Sequence, residues 1–516
     1  MKKRKSQHVV FKPYTMKQLQ LPTNLEELIP PNHLVRVMND AIEKMDLSIL
    51  LKQYKGGGTS SYHPKMMLKV LIYAYTQRIY SSRQIAKALR ENIHFMWISG
   101  NNRPDFRTIN RFRSVVMRDI IEEVFSDVVG LLIEEGYVKL DHYFLDGTKM
   151  EANANKHQAV WAKGTKRYKE QLQKKIKELL DEIDRENEEE NEEYGDRDLE
   201  EMGEDGPIDA DKLEKRIEEL NKRLRKDPKD KKLAKAVKRL RGDYLPRQKK
   251  YEEQERKFRG RNSYSRTDED ATFMRMKGDP PKAWPKPGYN VQIGTEKQFV
   301  VGFSVHQRPG DTGCLVPHLE QVKKQLGRLP KNVVADAGYG SEENYEYLEA
   351  KKLGNYVKYN TFHQEQKKKS KKRRFLGDQF PYDEERDVFI CPAGRQLVYV
   401  ETKPYKSGTG YLSERRCYEC EDCRGCSLKP ECTRAAGNRR VQISFRLQQM
   451  RARARSNLLS DHGKVLRSRR GVEVESVFGR WKHNWGFRRF ALRGLEKVKI
   501  ELGLLSIAHN MTKRAA

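Results

Sequence analysis

The sequence predicts a mixed α/β core that follows an all-helical domain and is interrupted by two insertions. Hydrophobic residues recur at helical spacing up to about residue 135. Short β-branched segments then alternate with helical ones in residues 136–165 and 259–362. The intervening residues 166–258 are rich in Lys and Glu, residues 363–440 are basic and cysteine-rich, and residues 441–516 are again helical.

The composition points to a polyanionic partner. The chain has 516 residues, 103 Lys and Arg against 73 Asp and Glu, and a net charge of +30. A chain of this length can form two to four domains, and such an excess of positive charge is typical of nucleic-acid binding, although a merely soluble basic protein is the alternative. No apolar run is long enough to cross a bilayer and no secretory signal is present, so we expect no membrane partner.

Residues 1–135 are predicted to form a helical DNA-binding domain. Helices are expected around Leu34, after Pro64, from Ser82 and from Asp105, with a tight turn before the last. Two helices joined by a tight turn are the layout of a helix-turn-helix DNA-binding motif. A small bundle with a solvated basic face is the alternative. The candidate DNA contacts are Arg83, Gln84, Lys87, Arg107, Asn110, Arg111 and Arg113.

The segments that follow predict a mixed sheet with an acid at the end of two of its strands. Residues 137–146 have strand character and end in Asp146-Gly147-Thr148, and Val333 and Val334 lead directly into Asp336. Between them, residues 289–294 and 299–305 form a predicted hairpin, and residues 356–359 form a last strand. The order strand, hairpin, helix, strand, helix, strand is the plan of a ribonuclease H-like core. Asp141 lies an odd number of positions from Asp146 and should face the other side.

Residues 166–258 predict an antiparallel coiled coil. Leu172, Ile176, Leu179 and Ile183 repeat at heptad spacing, and similar runs follow residue 212. The acidic segment 186–211 is too polar to be buried and is expected to form a mobile tip. No chemistry is implied there.

Residues 363–440 combine a basic run with clustered cysteines. Lys371 and Arg373 belong to the run 367–374, which would contact phosphates if it lies near a nucleic-acid site and is otherwise a solvated loop. The Cys-x-x-Cys spacing is typical of structural zinc. Which thiols would bind is open, and unliganded thiols are the alternative. The six cysteines are Cys391, Cys417, Cys420, Cys423, Cys426 and Cys432.

Residues 441–516 supply a third acid. Glu475 and Lys482 are seven positions apart, two turns of a helix, and should point the same way. An exposed ion pair is the alternative. Several arginines surround them, including Arg480 as a candidate DNA contact.

Asp146, Asp336 and Glu475 together predict a divalent-metal site. Each aspartate alone could be an ordinary turn residue, but three converging carboxylates in a basic setting suit Mg²⁺, or Mn²⁺ in its place. Two such ions would activate the attacking oxygen and stabilise the leaving oxygen in phosphoryl transfer.

The ordered motifs resemble the DDE transposases of bacterial insertion sequences, most closely the insertion sequence 1182 group. The resemblance is carried by Asp146-Gly147-Thr148, by residues 336–341, and by residues 474–479 with Lys482. Residues 265–268 and 287–292, together with Arg493-Gly494, fit the same group, as do residues 63–64, 82–85 and 108–112 near the N-terminus.

The resemblance implies a cytoplasmic enzyme that binds double-stranded DNA at the element's terminal inverted repeats. Asp146, Asp336 and Glu475 would hold two metal ions, Lys482 would hold a phosphate, and cleavage would be followed by strand transfer to target DNA. A homodimer or higher assembly on DNA is expected. A catalytically silent DNA-binding regulator is the alternative, disfavoured by the intact triad. A plain nuclease is disfavoured by the N-terminal domain and the coiled coil.

Overall fold

A computed structural model describes residues 24–46, 48, 50, 61–194, 208–366 and 374–516 of the chain. These form two compact units. The helical unit comprises Met1–Val116 and Ala508–Ala516, and the core unit comprises Met117–Ile507. The architecture mixes helices and sheets, as the sequence predicted.

The helical unit contains the helices predicted near its N-terminus and one more. They are α1 Leu34–Glu43, α2 Pro64–Thr76, α3 Ser82–Glu91, α4 Ile93–Ile98 and α5 Phe106–Ser114. Pro64 opens α2 at the position where its missing N–H costs nothing. The Asp105 side chain caps α5 by accepting the N–H of Thr108 at 2.7 Å. The short α4 precedes the tight turn predicted before the last helix, which the structure confirms at residues 99–105, and α3 packs against α5.

Helix α6 Ile121–Glu134 leads into a six-stranded mixed sheet in the core unit. Its hairpin strands, β5 Lys286–Glu296 and β6 Phe299–His306, are antiparallel, as predicted, and β1 His142–Glu151, β7 Asn332–Ala335 and β8 Gly354–Val357 are parallel neighbours. Lys297 and Gln298 both have positive φ in the hairpin turn, which fits the twist of the two strands. The other strands in this part of the chain are β2 Ala159–Trp161, β3 Ser263–Ser265 and β4 Thr272–Met274, and β2 and β3 form a separate ladder.

Strand β1 does not end at Asp146, contrary to the prediction. It continues to Glu151 because its antiparallel partner β5 runs alongside it as far as Gly288. The parallel partner β7 stops earlier, at the pair Leu145–Ala335. Asp146 therefore lies in the middle of a strand but at the end of a parallel ladder. Asp141 lies before the strand and pairs with Lys331 at 2.8 Å.

The insertion between β2 and β3 is helical, and its hydrophobic residues share one cluster. Its helices are α7 Ala162–Tyr194, α8 Ala210–Lys226, α9 Lys231–Arg239 and α10 Leu245–Phe258, with a π-helical turn, Leu240–Tyr244, joining the last two. Leu172, Ile176 and Ile183 are buried as predicted, while Leu180 is buried more fully than its neighbour Leu179. The cluster is formed by α7, by α8 and by the continuous segment of α9, the π-helical turn and α10. Residues 195–207 of the predicted acidic tip lie outside the described residues.

Two helices flank the end of the sheet. Helix α11 Leu315–Leu326 follows β6, and α12 Glu342–Ala350 follows β7. Ser341 caps α12 by accepting the N–H of Asn344 at 3.2 Å. Helix α13 Phe362–Glu365 ends this part of the core unit.

The cysteine-rich segment forms a second, five-stranded sheet with its own hydrophobic cluster. Its long hairpin is β11 Gln396–Lys406 and β12 Leu412–Cys420. The other elements are β9 Tyr382–Asp383, β10 Val388–Ile390, α14 Lys429–Cys432 and β13 Arg440–Ile443.

The C-terminal segment is helical, with two π-helical turns around the third acid. Helices α15 Phe445–Leu459 and α16 Asp461–Arg470 lead into the π turn Gly471–Glu475, α17 Ser476–Gly479 and the π turn Arg480–Asn484. The last helix is α18 Leu495–Arg514. Among the described residues, no helix combines the length and apolar character needed to cross a membrane.

Candidate active site

Asp146 and Asp336 directly follow the last pair of the parallel β1–β7 ladder. Because Leu145 pairs with Ala335, the two aspartates occupy equivalent positions on neighbouring strands. The Arg470 guanidinium lies 3.3 Å from an Asp146 carboxylate oxygen and 3.8 Å from an Asp336 oxygen. The strand register therefore brings together two acids that are far apart in sequence.

Glu475 joins them through the same arginine. Its carboxylate accepts a hydrogen bond from Arg470 at 2.8 Å. The two residues are five positions apart and flank a π-helical turn, whose i to i+5 repeat places them on one side. The neighbouring Glu473 is buried instead, where it pairs with Arg469 at 2.6 Å and accepts the N–H of Gln298 at 2.8 Å. Glu473 therefore holds the helix against the β5–β6 turn, and Glu475 is left to face the aspartates.

The two aspartates respond differently to these surroundings. Burial raises the pKa of the Asp146 carboxyl above its ordinary value, and the positive charge of Arg470 only partly opposes this. Burial acts in the same direction on Asp336, but Arg470, the N–H of Ala337 and Lys358 outweigh it and hold the pKa of that carboxyl below its ordinary value. The Lys358 ammonium lies 3.7 Å from Asp336.

Lys482 contacts the same strand two residues further along. Its ammonium donates hydrogen bonds to the Thr148 hydroxyl and, at 3.0 Å, to the Lys149 carbonyl. Asp146 and Thr148 share a face of β1, because side chains alternate along a strand. Burial, with Lys277 and Arg488 nearby, lowers the pKa of Lys482 to about 8.

A layer of buried amides packs next to the two aspartates, and the sequence did not predict it. The Asp311 carboxylate accepts hydrogen bonds from Asn290 at 2.8 Å and from Gln292 at 2.9 Å, and the Tyr339 hydroxyl donates to Gln292. A side chain on Gly147 would meet the Gln292 amide at 2.2 Å, so this layer packs directly against the strand. Asn290 and Gln292 lie in the motif 287–292, which was the only available signal.

Two other motifs of the resemblance contact each other. The buried Asp268 carboxylate accepts hydrogen bonds from the Gly494 N–H at 3.1 Å and from the Tyr289 hydroxyl at 2.9 Å. Residues 265–268, 287–292 and 493–494 are therefore joined by one carboxylate. Their role in this arrangement is to hold the C-terminal helices on the sheet.

In the helical unit, four of the candidate DNA-binding residues surround one groove. Arg83, Arg107 and Arg111 line a cavity of about 480 Å³, together with Asn110. The guanidinium groups of Arg83 and Arg107 lie 5.0 and 5.7 Å from the Phe106 ring centre, which is partly exposed. These arginines are held on a surface formed by α3 and α5.

The remaining candidate DNA contacts are placed differently. Gln84 and Lys87 are exposed on α3, and Lys87 lies 3.7 Å from Glu91. Arg113 was wrongly predicted to face DNA: it is 3 % exposed and donates hydrogen bonds to the Tyr80 carbonyl and the Ser82 hydroxyl, because its position on α5 faces α3. Arg480 is half-buried in the π turn near Glu475. Lys371 and Arg373 lie outside the described residues.

Five of the six clustered cysteines line one small cavity, and Cys417 does not. Cys423 accepts the N–H of Arg439 at 3.3 Å. Burial and the neighbouring Cys423 thiol raise the pKa of Cys420 to about 12. The residues that line the cavity are Cys391, Cys420, Cys423, Cys426 and Cys432. In the described ranges, neither these thiols nor the three acids form a group already arranged to hold a metal ion.

Two family models match the chain. One described as "Transposase domain (DUF772)" matches residues 23–115, and one described as "Transposase DDE domain" matches residues 390–515. These matches support a DDE transposase, and a DDE domain implies nuclease or transposase activity in general. No curated protein and no solved structure matches the chain significantly. Glu475 and Lys482 lie within the second matched segment, whereas Asp146 and Asp336 lie outside both.

Proposed function

We propose that this protein is the DNA transposase of an insertion sequence of the 1182 group. The observation that carries the proposal is the meeting of Asp146, Asp336 and Glu475 around the single guanidinium of Arg470. Three acids from distant parts of the chain, each directed to one point, are the arrangement expected of a nuclease that depends on metal ions.

The sheet supports a ribonuclease H-like core. Strand β1 lies between the hairpin β5–β6 on one side and the parallel strands β7 and β8 on the other. In such a core the first acid lies on the central strand and the second on the adjacent parallel strand. Asp146 and Asp336 have these positions, and the helical and cysteine-rich segments would be insertions into that core.

Asp146, Asp336 and Glu475 would hold two divalent ions, Mg²⁺ or Mn²⁺, as DDE domains generally do. Carboxylate oxygens are the ligands these ions prefer, and the three carboxylates already surround one positive charge, that of Arg470. When bound, the ions would neutralise charge on the attacking and leaving oxygens of a phosphodiester.

The protein's own cations would position the DNA. Lys482 lies on the Asp146 face of β1, where its ammonium can bind a phosphate next to the cut. Arg83, Arg107 and Arg111 would bind the terminal inverted repeats as double-stranded DNA, and a dimer or higher assembly would bring two ends together. Strand transfer into target DNA would follow cleavage.

A catalytically silent DNA-binding regulator is the alternative, and removal of single charges separates it from an enzyme. Asp146→Asn, Asp336→Asn and Glu475→Gln should each reduce cleavage of DNA in Mg²⁺ or Mn²⁺ by at least a thousandfold, since each removes a charged ligand with little change of shape. The affinity of each variant for DNA, measured by gel shift, should stay within about twofold of the wild-type affinity.

Asp141→Asn is the matched control, because it changes a half-buried acid on the same segment that pairs with Lys331 and lies outside the triad. It should cleave at the wild-type rate. If wild-type protein does not cut DNA at all, the regulator is favoured. If one of the three variants cuts at the wild-type rate, that residue is not a ligand.

The cysteine cavity would hold a structural zinc ion. Four of the thiols Cys391, Cys420, Cys423, Cys426 and Cys432 suffice for a tetrahedral site. The Arg439 N–H that points at Cys423 suits a thiolate, because it supplies a donor to the negative sulfur. Cys417 lies apart from the cavity and would not take part.

A further inference from the structure

A large basic groove borders the candidate active site in the core unit. Its volume is about 1120 Å³, and strands β1, β2 and β4, the segment 259–262, the loop after β6 and the tip of the β11–β12 hairpin contribute to its walls. The loop after β6 carries Asp311, whose carboxylate oxygens would lie 2.7 and 3.6 Å from side chains on Gly147 and Gly338. These glycines lie one and two residues after Asp146 and Asp336, so the loop that forms one wall of the groove also contacts the chain next to both acids.

Positive side chains dominate this basic groove. Lys149, Arg275 and Arg308 line it without forming an ion pair to any residue that the structure describes. Six basic side chains line the groove against only two acidic ones, Glu342 and Glu343. The groove therefore presents uncompensated positive charge, which suits a phosphate backbone.

Two exposed aromatic rings also line the basic groove. Trp161 is 39 % exposed, with its ring centre 5.7 Å from that of Phe273, and Tyr405 is 40 % exposed. The Arg415 guanidinium stacks on Tyr405 at 3.3 Å from the ring centre. Such flat surfaces can receive bases only when the bases are unpaired, because base pairing in a duplex keeps their faces stacked inside.

The outer wall of the basic groove is tied to the core. In the hairpin tip, the Thr409 hydroxyl donates to Glu343 and the Tyr411 hydroxyl donates to Glu346, and both acids lie on α12. Helix α12 follows the loop that carries Asp336. The cysteine-rich segment therefore holds Tyr405 and Arg415 at a set position relative to the second acid.

We propose that the basic groove binds a single strand of DNA next to the bond that is cut. This rests on the proposed function, in that it takes DNA as the substrate. The phosphates would bind Lys149, Arg275 and Arg308, and the unpaired bases would stack on Trp161 and on the Tyr405–Arg415 pair. The cysteine-rich insertion thus contributes directly to substrate binding.

The test measures binding of full-length protein to labelled oligothymidine and to a duplex of equal length. Fluorescence anisotropy is recorded over a salt series without added divalent metal, so a protein without nuclease activity would still give a result. Arg275→Ala/Arg308→Ala is compared with Arg225→Ala/Arg328→Ala, in which two exposed arginines outside the groove are removed.

We expect the groove variant to bind oligothymidine at least about tenfold more weakly, with a log–log salt slope shallower by about 1.4 for two lost phosphate contacts. The affinity of the control variant for oligothymidine should stay within about twofold of the wild-type affinity. Trp161→Leu, which keeps an apolar contact for Phe273, should weaken single-strand binding by about fivefold to a hundredfold and leave duplex binding unchanged.

Three outcomes would overturn the proposal. An equal loss in the control variant would mean that net charge alone is responsible. Single-strand binding by the groove variant within twofold of wild type would exclude the groove as the site. Equal losses of duplex and single-strand binding in Trp161→Leu would mean that unpaired bases are not recognised there. Loss of cleavage in the triad variants is measured separately and affects none of these results.

Discussion

Asp146 and Asp336 occupy equivalent positions on neighbouring strands, yet their surroundings shift their pKa values in opposite directions. The difference comes from the balance of burial against positive charge. Asp146 is the more buried, and Arg470, the Gly147 N–H and Lys277 do not offset that burial, whereas Arg470, the Ala337 N–H and Lys358 outweigh the burial of Asp336. A pKa that differs between the folded and the unfolded protein makes the free energy of unfolding depend on pH, because the folded protein favours one protonation state.

We predict opposite effects of Asp146→Asn and Asp336→Asn on stability at neutral pH. The raised pKa of Asp146 means that its charged form opposes folding, a cost that appears as pH rises through the folded-state value, so Asp146→Asn should raise the melting temperature. The lowered pKa of Asp336 means that its charge favours folding above the unfolded-state value, so Asp336→Asn should lower it. Thermal unfolding at neutral pH and at a pH below both values measures this, and the two effects should shrink in acid. Shifts of the same sign at neutral pH would contradict it.

Lys482 should make DNA cleavage sensitive to mildly alkaline pH. With a pKa of about 8, its ammonium loses the proton as pH rises through that value and can no longer attract a phosphate. We predict that kcat/KM, which reports groups of the free enzyme, falls above about pH 8. Lys482→Arg should move the fall to higher pH, because arginine stays charged. An unchanged pH profile in this variant would show that another group titrates.

At the scale of single elements, hydrophobic pattern predicted that a strand precedes each aspartate but misjudged where β1 ends. Asp-Gly-Thr has the composition of a turn, and pairing with β5, a long-range contact, keeps residues 147–151 extended. The role of Arg470 was also unpredictable. On a regular helix a residue five positions away lies on another face, and a π-helical turn is needed to align Arg470 with Glu475.

The cysteine-rich sheet should depend on zinc for stability. We predict about one zinc per chain in protein purified without added metal. Cys423→Ser should lose the zinc and lower the melting temperature, because Cys423 lines the cavity and accepts the Arg439 N–H. Cys417→Ser is the matched control, a buried cysteine outside the cavity, and should keep its zinc. Folded wild-type protein without stoichiometric zinc would contradict the prediction.

At the scale of the whole molecule, the order of the main core strands and helices was predictable, whereas the five-stranded sheet of the cysteine-rich segment and the lateral contacts between elements were not. The positions of strands, hairpin and helices followed from period and composition, which are local properties. The link between Asp268 and Gly494 joins residues more than two hundred positions apart. The layer around Asp311 buries polar side chains that no local sequence pattern marks as buried. Only the folded arrangement brings them together.

Recognition and cleavage should be separable by mutation. We predict that Arg83→Ala or Arg111→Ala in the full chain weakens binding to the repeats that flank the gene by about fivefold to a hundredfold, since both line the groove of the helical unit. Fluorescence anisotropy against a scrambled duplex measures the selectivity. Arg90→Ala, an exposed arginine of α3 outside that groove, is the control. Equal affinity of wild type for both duplexes at every salt concentration would show that sequence is not read there.

The helical insertion leaves and re-enters the core through paired strands. Trp161 pairs with Ser263, and a little further out the Thr165 hydroxyl donates to Gln254 at 2.9 Å, so the two connections run side by side. The β2–β3 ladder requires Trp161 and Ser263 to stay next to each other, and the path of the chain between these two residues can vary. A reporter such as a fluorescent protein, whose termini also lie close to each other, can therefore be spliced within this insertion to follow the protein in a living cell without a terminal tag.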